Sequence, residues 1–257
     1  MRPGDRAAAV RIERERAEIP FAGGVLVPIC ARSIDRYNLP GILARWRQRA
    51  FGMFLTQFPA SPDRTRAWLQ SLVVDDSRLL FLLMCDGRPV GHLGVMDLDR
   101  ETPELDNLLR GAHGGGPEFV LRAEGALLEW LRTRIGVLRL RLGVFADNRR
   151  VIALHERCGF RARATWTAVR TQPSPLEVRY EIERRAPGTG ERGYCIMRRV
   201  LQPHRLPAGR SCETCKSAKA APYFSPAEEF CGKRSKRGAR FYLFPHVRKE
   251  IDGRCLL

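Results

Sequence analysis

The run Gly111-Ala112-His113-Gly114-Gly115-Gly116-Pro117 constrains this chain most. So many glycines in succession cannot continue a strand or a helix, because each residue without a Cβ loses too much backbone freedom on ordering. The residues before it, Glu104 to Leu109, read as a strand. After it, apolar residues at helical spacing run from Pro117 to Arg134, and proline suits a first helical turn, where its missing N–H costs nothing. A glycine turn between a strand and a helix presents unpaired backbone N–H groups, and the helix start adds partial positive charge. Together they make a cradle for phosphate or pyrophosphate. The glycines alone fit a plain surface loop equally well.

The remaining pattern is mixed. Val25 to Cys30 reads as a first strand, followed by a helical stretch from Ser33 to Phe51 interrupted at Pro40 and a second helix capped by Ser61. Leu79 to Cys85 is a continuous apolar run, Asp86-Gly87 is a hairpin turn, and Val90 to Leu98 is the return strand. Leu138, Leu140, Leu142 and Val144 alternate with Arg139 and Arg141, as in a strand with one buried face. A short helix spans Asn148 to Arg157, and further strands lie near Ala162–Val169 and Tyr194–Val200, with part of another at Leu176–Ile182. This order predicts an α/β or α+β domain built on a mixed, twisted sheet flanked by helices.

Charge divides the chain. The net charge is +17, yet lysine occurs only at Lys216, Lys219, Lys233, Lys236 and Lys249. That shift, with Pro203, Pro207 and Gly209, sets a boundary near residue 202. The expected organisation is an N-terminal arm or short surface helix over 1–22, a main domain over 23–202, and a cysteine-rich module over 203–257. Positive charge on this scale suits an anionic small molecule, nucleic acid or an acidic protein, or reflects a general bias towards arginine. No stretch is apolar enough for a membrane span or a secretory signal, so a cytoplasmic location is expected.

The stretch Val144 to Phe160 contains Asn148, Ala153, Leu154, Glu156, Arg157, Gly159 and Phe160 in fixed register. It resembles the cofactor-side signature of the GNAT superfamily of acyl-CoA-dependent N-acyltransferases, in which a strand is followed by an Asn-led helix and Leu-Tyr-Glu-(Lys/Arg)-x-Gly-Phe. The resemblance covers about residues 23–202. It implies a GNAT-like fold, with acetyl-CoA or another acyl-CoA as cosubstrate and a small-molecule amine as acceptor, an amino-sugar nucleotide being the first class to consider and a protein amine the second; a homodimer is compatible with it. It also implies that the strand before the glycine run and the strand Leu138–Val144 splay apart to admit the pantetheine, with the pyrophosphate on Leu109, Arg110, Gly111, His113, Gly114, Gly115 and Gly116, and Asn148 at the neighbouring helix. The family loop pattern is Arg/Gln-x-x-Gly-x-Gly/Ala. Arg110 and Gly115 fit it, and His113 stands in the first glycine place.

The family tyrosine that protonates the departing thiolate is replaced by His155. This histidine either supplies that proton or only packs and hydrogen-bonds. Asp106 and Glu104, on one face of their strand, are the candidate bases. In the tail, Cys212, Cys215, Cys231 and Cys255 suggest a zinc or iron–sulfur ligand set, a redox pair being the other reading. A rival for the whole chain is a GNAT-like domain used only for binding, with its basic tail docking nucleic acid or a protein partner.

Overall fold

The computed structural model describes residues 2 and 5–201. Among these residues one ten-stranded sheet carries helices on both faces. In chain order the elements are α1 (Arg6–Arg16), β1 (Ile19–Phe21), β2 (Gly24–Pro28), α2 (Ala31–Arg36), α3 (Leu39–Arg49), β3 (Thr56–Gln57), α4 (Pro62–Leu72), β4 (Leu79–Cys85) and β5 (Arg88–Met96). They continue with β6 (Glu104–Arg110), α5 (Phe119–Trp130), β7 (Arg139–Phe145), α6 (Arg149–Arg157), β8 (Arg161–Ser174), β9 (Glu177–Glu183) and β10 (Arg192–Val200). The strand order is β1-β2-β4-β5-β6-β7-β10-β8-β9-β3, and every pairing is antiparallel except β6 with β7.

Strand β4 explains why the sheet is covered twice. All its residues are buried. Leu79, Phe81, Leu83 and Cys85 enter the core under α1 and α5, while Leu80, Leu82 and Met84 enter the core under α2, α3 and α4. Alternation along a strand buried on both faces gives the unbroken apolar run seen in the sequence. A third cluster of Phe145, Ala168, Ile182 and Tyr194 lies on β7, β8, β9 and β10.

Several boundaries differ from expectation. The first long helical stretch is two helices, divided at Asn38, whose left-handed backbone (φ 49°) ends one turn and leaves Pro40 in the first turn of α3. Helix α5 begins at Phe119, because Phe119 N–H closes a turn onto the Gly116 carbonyl and Pro117 stays in that turn. The polar connection after Val169 is mostly strand, with β8 running on to Ser174 before the hairpin into β9.

Of the two readings of the N-terminal residues, the short helix is the one present, as α1, and it is tied to the domain: β1 pairs with β2, and Val10 of α1 is fully buried. Two arginines hold the helix down. Arg6 donates to the carbonyls of Leu98, Arg100 and Gly136, and Arg14 to those of Val73, Asp75 and Arg78. A guanidinium offers five donors in a planar fork, so one side chain can satisfy carbonyls from separate loops. In urea unfolding, Arg14→Met is expected to cost about 2–4 kcal/mol, since it strands buried carbonyls. The exposed Arg11, paired with Asp76, should cost under about 0.5 kcal/mol on the same change.

Candidate functional site

Strands β6 and β7 are parallel neighbours that share one registered pair, Glu104 opposite Arg141. Arg141 N–H also donates to the Pro103 carbonyl at 3.0 Å. Beyond that pinned end β6 stays with β5 and β7 stays with β10, so the sheet opens into a gap. A bulge shapes the β6 side of it. The β5–β6 register shifts between His92 and Gly94, and Asn107 takes a left-handed backbone (φ 52°). An inserted residue bends its strand and frees backbone groups from the ladder.

One freed group is the Asn107 carbonyl, which accepts a hydrogen bond from His92 Nδ1 at 2.6 Å. His92 is buried and stacks on Trp46. Burial holds its pKa down to about 4, with Arg47 pushing the same way, so the ring is neutral and its proton sits on Nδ1. His92 is thus a clamp on the bulge. Its place in a strand pattern held no signal of that, because the partner carbonyl is set by a bulge in the neighbouring strand.

On the face of α3 and α4, β6 presents the two carboxylates singled out in the sequence. Glu104 pairs with Arg141 Nε at 2.8 Å, and Arg141 also reaches Asp97 at 2.7 Å. Asp106 accepts from Arg78 at 3.1 Å and from the Asn107 side chain. Burial pushes the Glu104 carboxyl up to about 7. Arg141 opposes that shift, while Asp106 and Asp97 add to it. Tyr194 of β10 joins this group. Its ring lies over Gly143 of β7, where a Cβ would come within 2.3 Å of it. Burial, with Glu104 and Asp106 nearby, holds its phenol well above the usual range, so it is a neutral donor. The sequence offered only Tyr194's strand, not the glycine across from it.

The glycine loop lies at the other end of β6. Arg110 donates to the carbonyls of Ala112, Gly114 and Gly116, and Arg122 donates to that of Gly115. With the carbonyls tied back, the N–H groups of His113, Gly114 and Gly116 have no protein acceptor among the described residues. Gly111 and Ala112 differ, since both N–H groups donate to the Val90 carbonyl. Gly115 and Gly116 are left-handed (φ 70° and 77°); a Cβ on Gly115 would lie 1.8 Å from the Phe119 ring, whereas Gly116 faces open space. His113 is exposed, and Leu109 packs beside the α3 cluster. A loop of this shape at the start of α5 is able to hold a diphosphate.

His155 and Asn148 are on the α5/α6 side of the sheet, across from Glu104 and Asp106. Asn148 caps α6, its side chain accepting from Val151 N–H at 3.4 Å. His155 is buried against the edge of Phe160, and its Nδ1 meets Glu124 Oε1 at 2.9 Å. Glu124 is wholly buried, with the Cys158 thiol as a further neighbour. The four cysteines expected as metal ligands lie outside the described residues. Among the described residues no cluster of three metal-ligating side chains occurs, and Cys30, Cys85, Cys158 and Cys195 are buried thiols. No helix of the described residues is long and apolar enough to cross a membrane.

Comparison with known proteins agrees with this architecture. Residues 28–161 match the family model for the acetyltransferase (GNAT) domain. A probable GNAT-family acetyltransferase from Chromobacterium violaceum superposes with a TM-score of 0.52 at 16% identity, covering 72% of this chain and 86% of that one. The microcin C7 self-immunity acetyltransferase MccE, solved with acetyl-CoA and AMP, gives 0.52 at 16% identity, covering 70% and 93%. The Salmonella typhimurium acetyltransferase that modifies the N-terminal serine of ribosomal protein L7/L12 gives 0.54 at 13% identity, covering 72% and 100%. No curated protein matches the sequence.

For a loop that receives a pyrophosphate, Gly116→Asp is the informative change. Asp tolerates the left-handed backbone and meets no neighbour, so the fold should survive while the added charge weakens acetyl-CoA binding by about tenfold or more. Calorimetry reads this directly, and equal affinity in both proteins would place the pyrophosphate elsewhere.

Proposed function

This chain belongs to the GNAT acetyltransferase family, and from that premise we propose that it transfers an acetyl group from acetyl-CoA to the amine of a small acceptor. The observation that carries the reading is the gap between β6 and β7, with unengaged N–H groups of the glycine loop on one side and a half-buried carboxylate cluster on the other. The gap joins the two faces of the sheet. In this reading the cofactor approaches from the α5/α6 face and the acceptor from the α3/α4 face, and the thioester carbonyl lies where they meet.

The transfer forms a C–N bond and breaks the C–S bond. The amine loses a proton and the departing thiolate gains one. Most of the rate comes from holding the reactants in line. The bulge at Asn107, clamped by His92, offers a backbone N–H to the carbonyl oxygen. Glu104 takes the amine proton. A carboxyl with a pKa near 7 is a better base at neutral pH than an ordinary one, and Arg141 keeps its ionised form accessible. Asp106, already engaged by Arg78 and Asn107, orients this end of the site. On the opposite face His155 returns a proton to the thiolate, held by Glu124 through Nδ1 so that Nε2 is the donating atom.

The acceptor class put forward is a small, anionic amine such as an amino-sugar nucleotide, supported by the strongly basic chain. The same proposal places the enzyme in the cytoplasm and treats residues 203–257 as a separate cysteine-rich module, with Cys212, Cys215, Cys231 and Cys255 as ligands for zinc or an iron–sulfur cluster.

The pH dependence tests the base. With an amine of fixed pKa, kcat/KM should rise with pH and level off above about 7 as Glu104 ionises. Glu104→Gln should remove that limb and lower the rate by about 10²- to 10³-fold. Stability should run the other way. From 4.5, the ordinary glutamate value, up to about 7, the folded chain retains a proton that the unfolded chain releases, so raising the pH through this window lowers stability. A wild-type limb that persists in the variant would remove Glu104 from the role.

A further inference from the structure

The acceptor face carries a feature that the transfer chemistry does not use. After α3 the chain crosses this face as a strap, from Phe51 to Phe58. Its far end is pinned by β3 pairing with β9 and by Tyr180 N–H donating to the Leu55 carbonyl at 2.8 Å. Arg192 holds the Gly52 carbonyl at 3.2 Å. Leu55 packs against the cluster of Phe145, Ala168, Ile182 and Tyr194, the last of which lies beside the carboxylate cluster. The strap therefore borders the space through which an amine must reach Glu104.

Arg47 of α3 stands under this strap. Its guanidinium packs on the rings of Phe54 at 4.0 Å and Phe58 at 4.5 Å, and one nitrogen donates to the Thr56 carbonyl at 2.8 Å. Arg64 of α4 sits on the same Phe58 ring at 3.4 Å. The two like charges share one aromatic platform. Arg64 has Glu177 at 3.4 Å, but no carboxylate lies within ion-pairing distance of Arg47 among the described residues. Three other arginines on this face are answered by carboxylates: Arg141 by Asp97 and Glu104, Arg78 by Asp106, Arg192 by Asp147. Burial and Arg64 together lower the Arg47 pKa to about 10, and Asp106 only partly restores it.

A partly desolvated cation without a counter-ion is costly to keep unless something else uses it. Aromatic walls strip water from the Arg47 guanidinium, and the N–H groups not given to Thr56 remain to donate to a carboxylate or phosphate. We propose that Arg47, packed on Phe54 and Phe58 and reinforced by Arg64, binds the anionic group of the acceptor, so that the enzyme acetylates small amines that also carry a phosphate or a carboxylate. The amine end then points towards Glu104 and Asp106, where its positive charge is welcome, and the anionic end towards Arg47. An acceptor with two or more cationic groups places one of them against Arg47 and Arg64 and is rejected. This inference rests on the acetyltransferase reading and adds the residues that would recognise the acceptor's negative charge.

The test uses matched amines with saturating acetyl-CoA, read by thiol release. Glucosamine 6-phosphate is compared with glucosamine, phenylalanine with phenethylamine, and spermidine serves as the cationic probe. The wild type should favour the anionic member of at least one pair, and which pair responds separates phosphate from carboxylate. Arg47→Met should shrink that preference about 10- to 100-fold, mainly through KM for the amine. Arg64→Met should shrink it less. Calorimetry with acetyl-CoA shows that each variant is folded, and if Arg47→Met is not, Arg47→Lys, which keeps the charge and loses the fork, takes its place. The inference is overturned if the wild type prefers glucosamine, phenethylamine or spermidine, or if the preference survives at position 47. It is also overturned if CoA-loaded enzyme neither acetylates nor binds either anionic amine. Failure of the wild type to bind acetyl-CoA would overturn the acetyltransferase reading itself, and this inference with it.

Discussion

The parting of β6 from β7 is the constraint on which the rest depends. β5 turns back into β6 as an antiparallel neighbour, but β7 arrives only after the crossover through α5 and so must run parallel to β6. One clamp closes one end: Arg141 binds Glu104 and Asp97 by its side chain and the Pro103 carbonyl by its N–H. The Asn107 bulge then turns β6 away, and the sheet, continuous on both sides, has a window at its centre. Everything assigned to chemistry lies around that window. The glycine loop and α6 approach it from one face, and Glu104, Asp106 and Tyr194 from the other.

Arginine holds this architecture together in a way that net charge conceals. Arg6, Arg14, Arg110 and Arg122 are used chiefly on backbone carbonyls, and several of those carbonyls come from loops far apart in sequence. Lysine could not replace them, because an ammonium lacks the planar fork that reaches several carbonyls in fixed directions. A formal charge of +17 therefore overstates the positive charge free to meet a partner. The more telling charge is local: a single guanidinium stacked on two phenylalanines, with no carboxylate beside it among the described residues.

Much of the fold could be read before any coordinates. The apolar run Leu79–Cys85 and the alternation of Leu140, Arg141 and Leu142 follow the two-residue period of a strand buried on two faces or on one. The Asp86-Gly87 turn follows from contacts between residues close in sequence. The same is true of the Asn148 cap, whose partner is three residues away. A short N-terminal helix is among the expectations, but its firm attachment is not, because its anchors, Arg6 and Arg14, look like surface charge until their carbonyl partners, some sixty to a hundred and thirty residues distant, are brought to them. The roles of His92, Tyr194 and Arg47 are hidden from the sequence for a related reason. Each acquires its role from a bulge, a glycine or a strap on another element, and no periodicity marks such a meeting.

What the sequence determined alone was local: which segments are strands and helices, which faces are apolar, where a backbone without side chains must bend, and the family motif carried by Asn148 to Phe160. These are set by sterics and by partners within a few residues. The tertiary structure decided which charges are answered and which are not. Glu104 becomes a carboxyl with a pKa near 7 only because α3, α4 and the parted strands bury it among Arg141, Asp97 and Asp106. Desolvation depends on what covers a group, and that is settled only when distant parts of the chain come together.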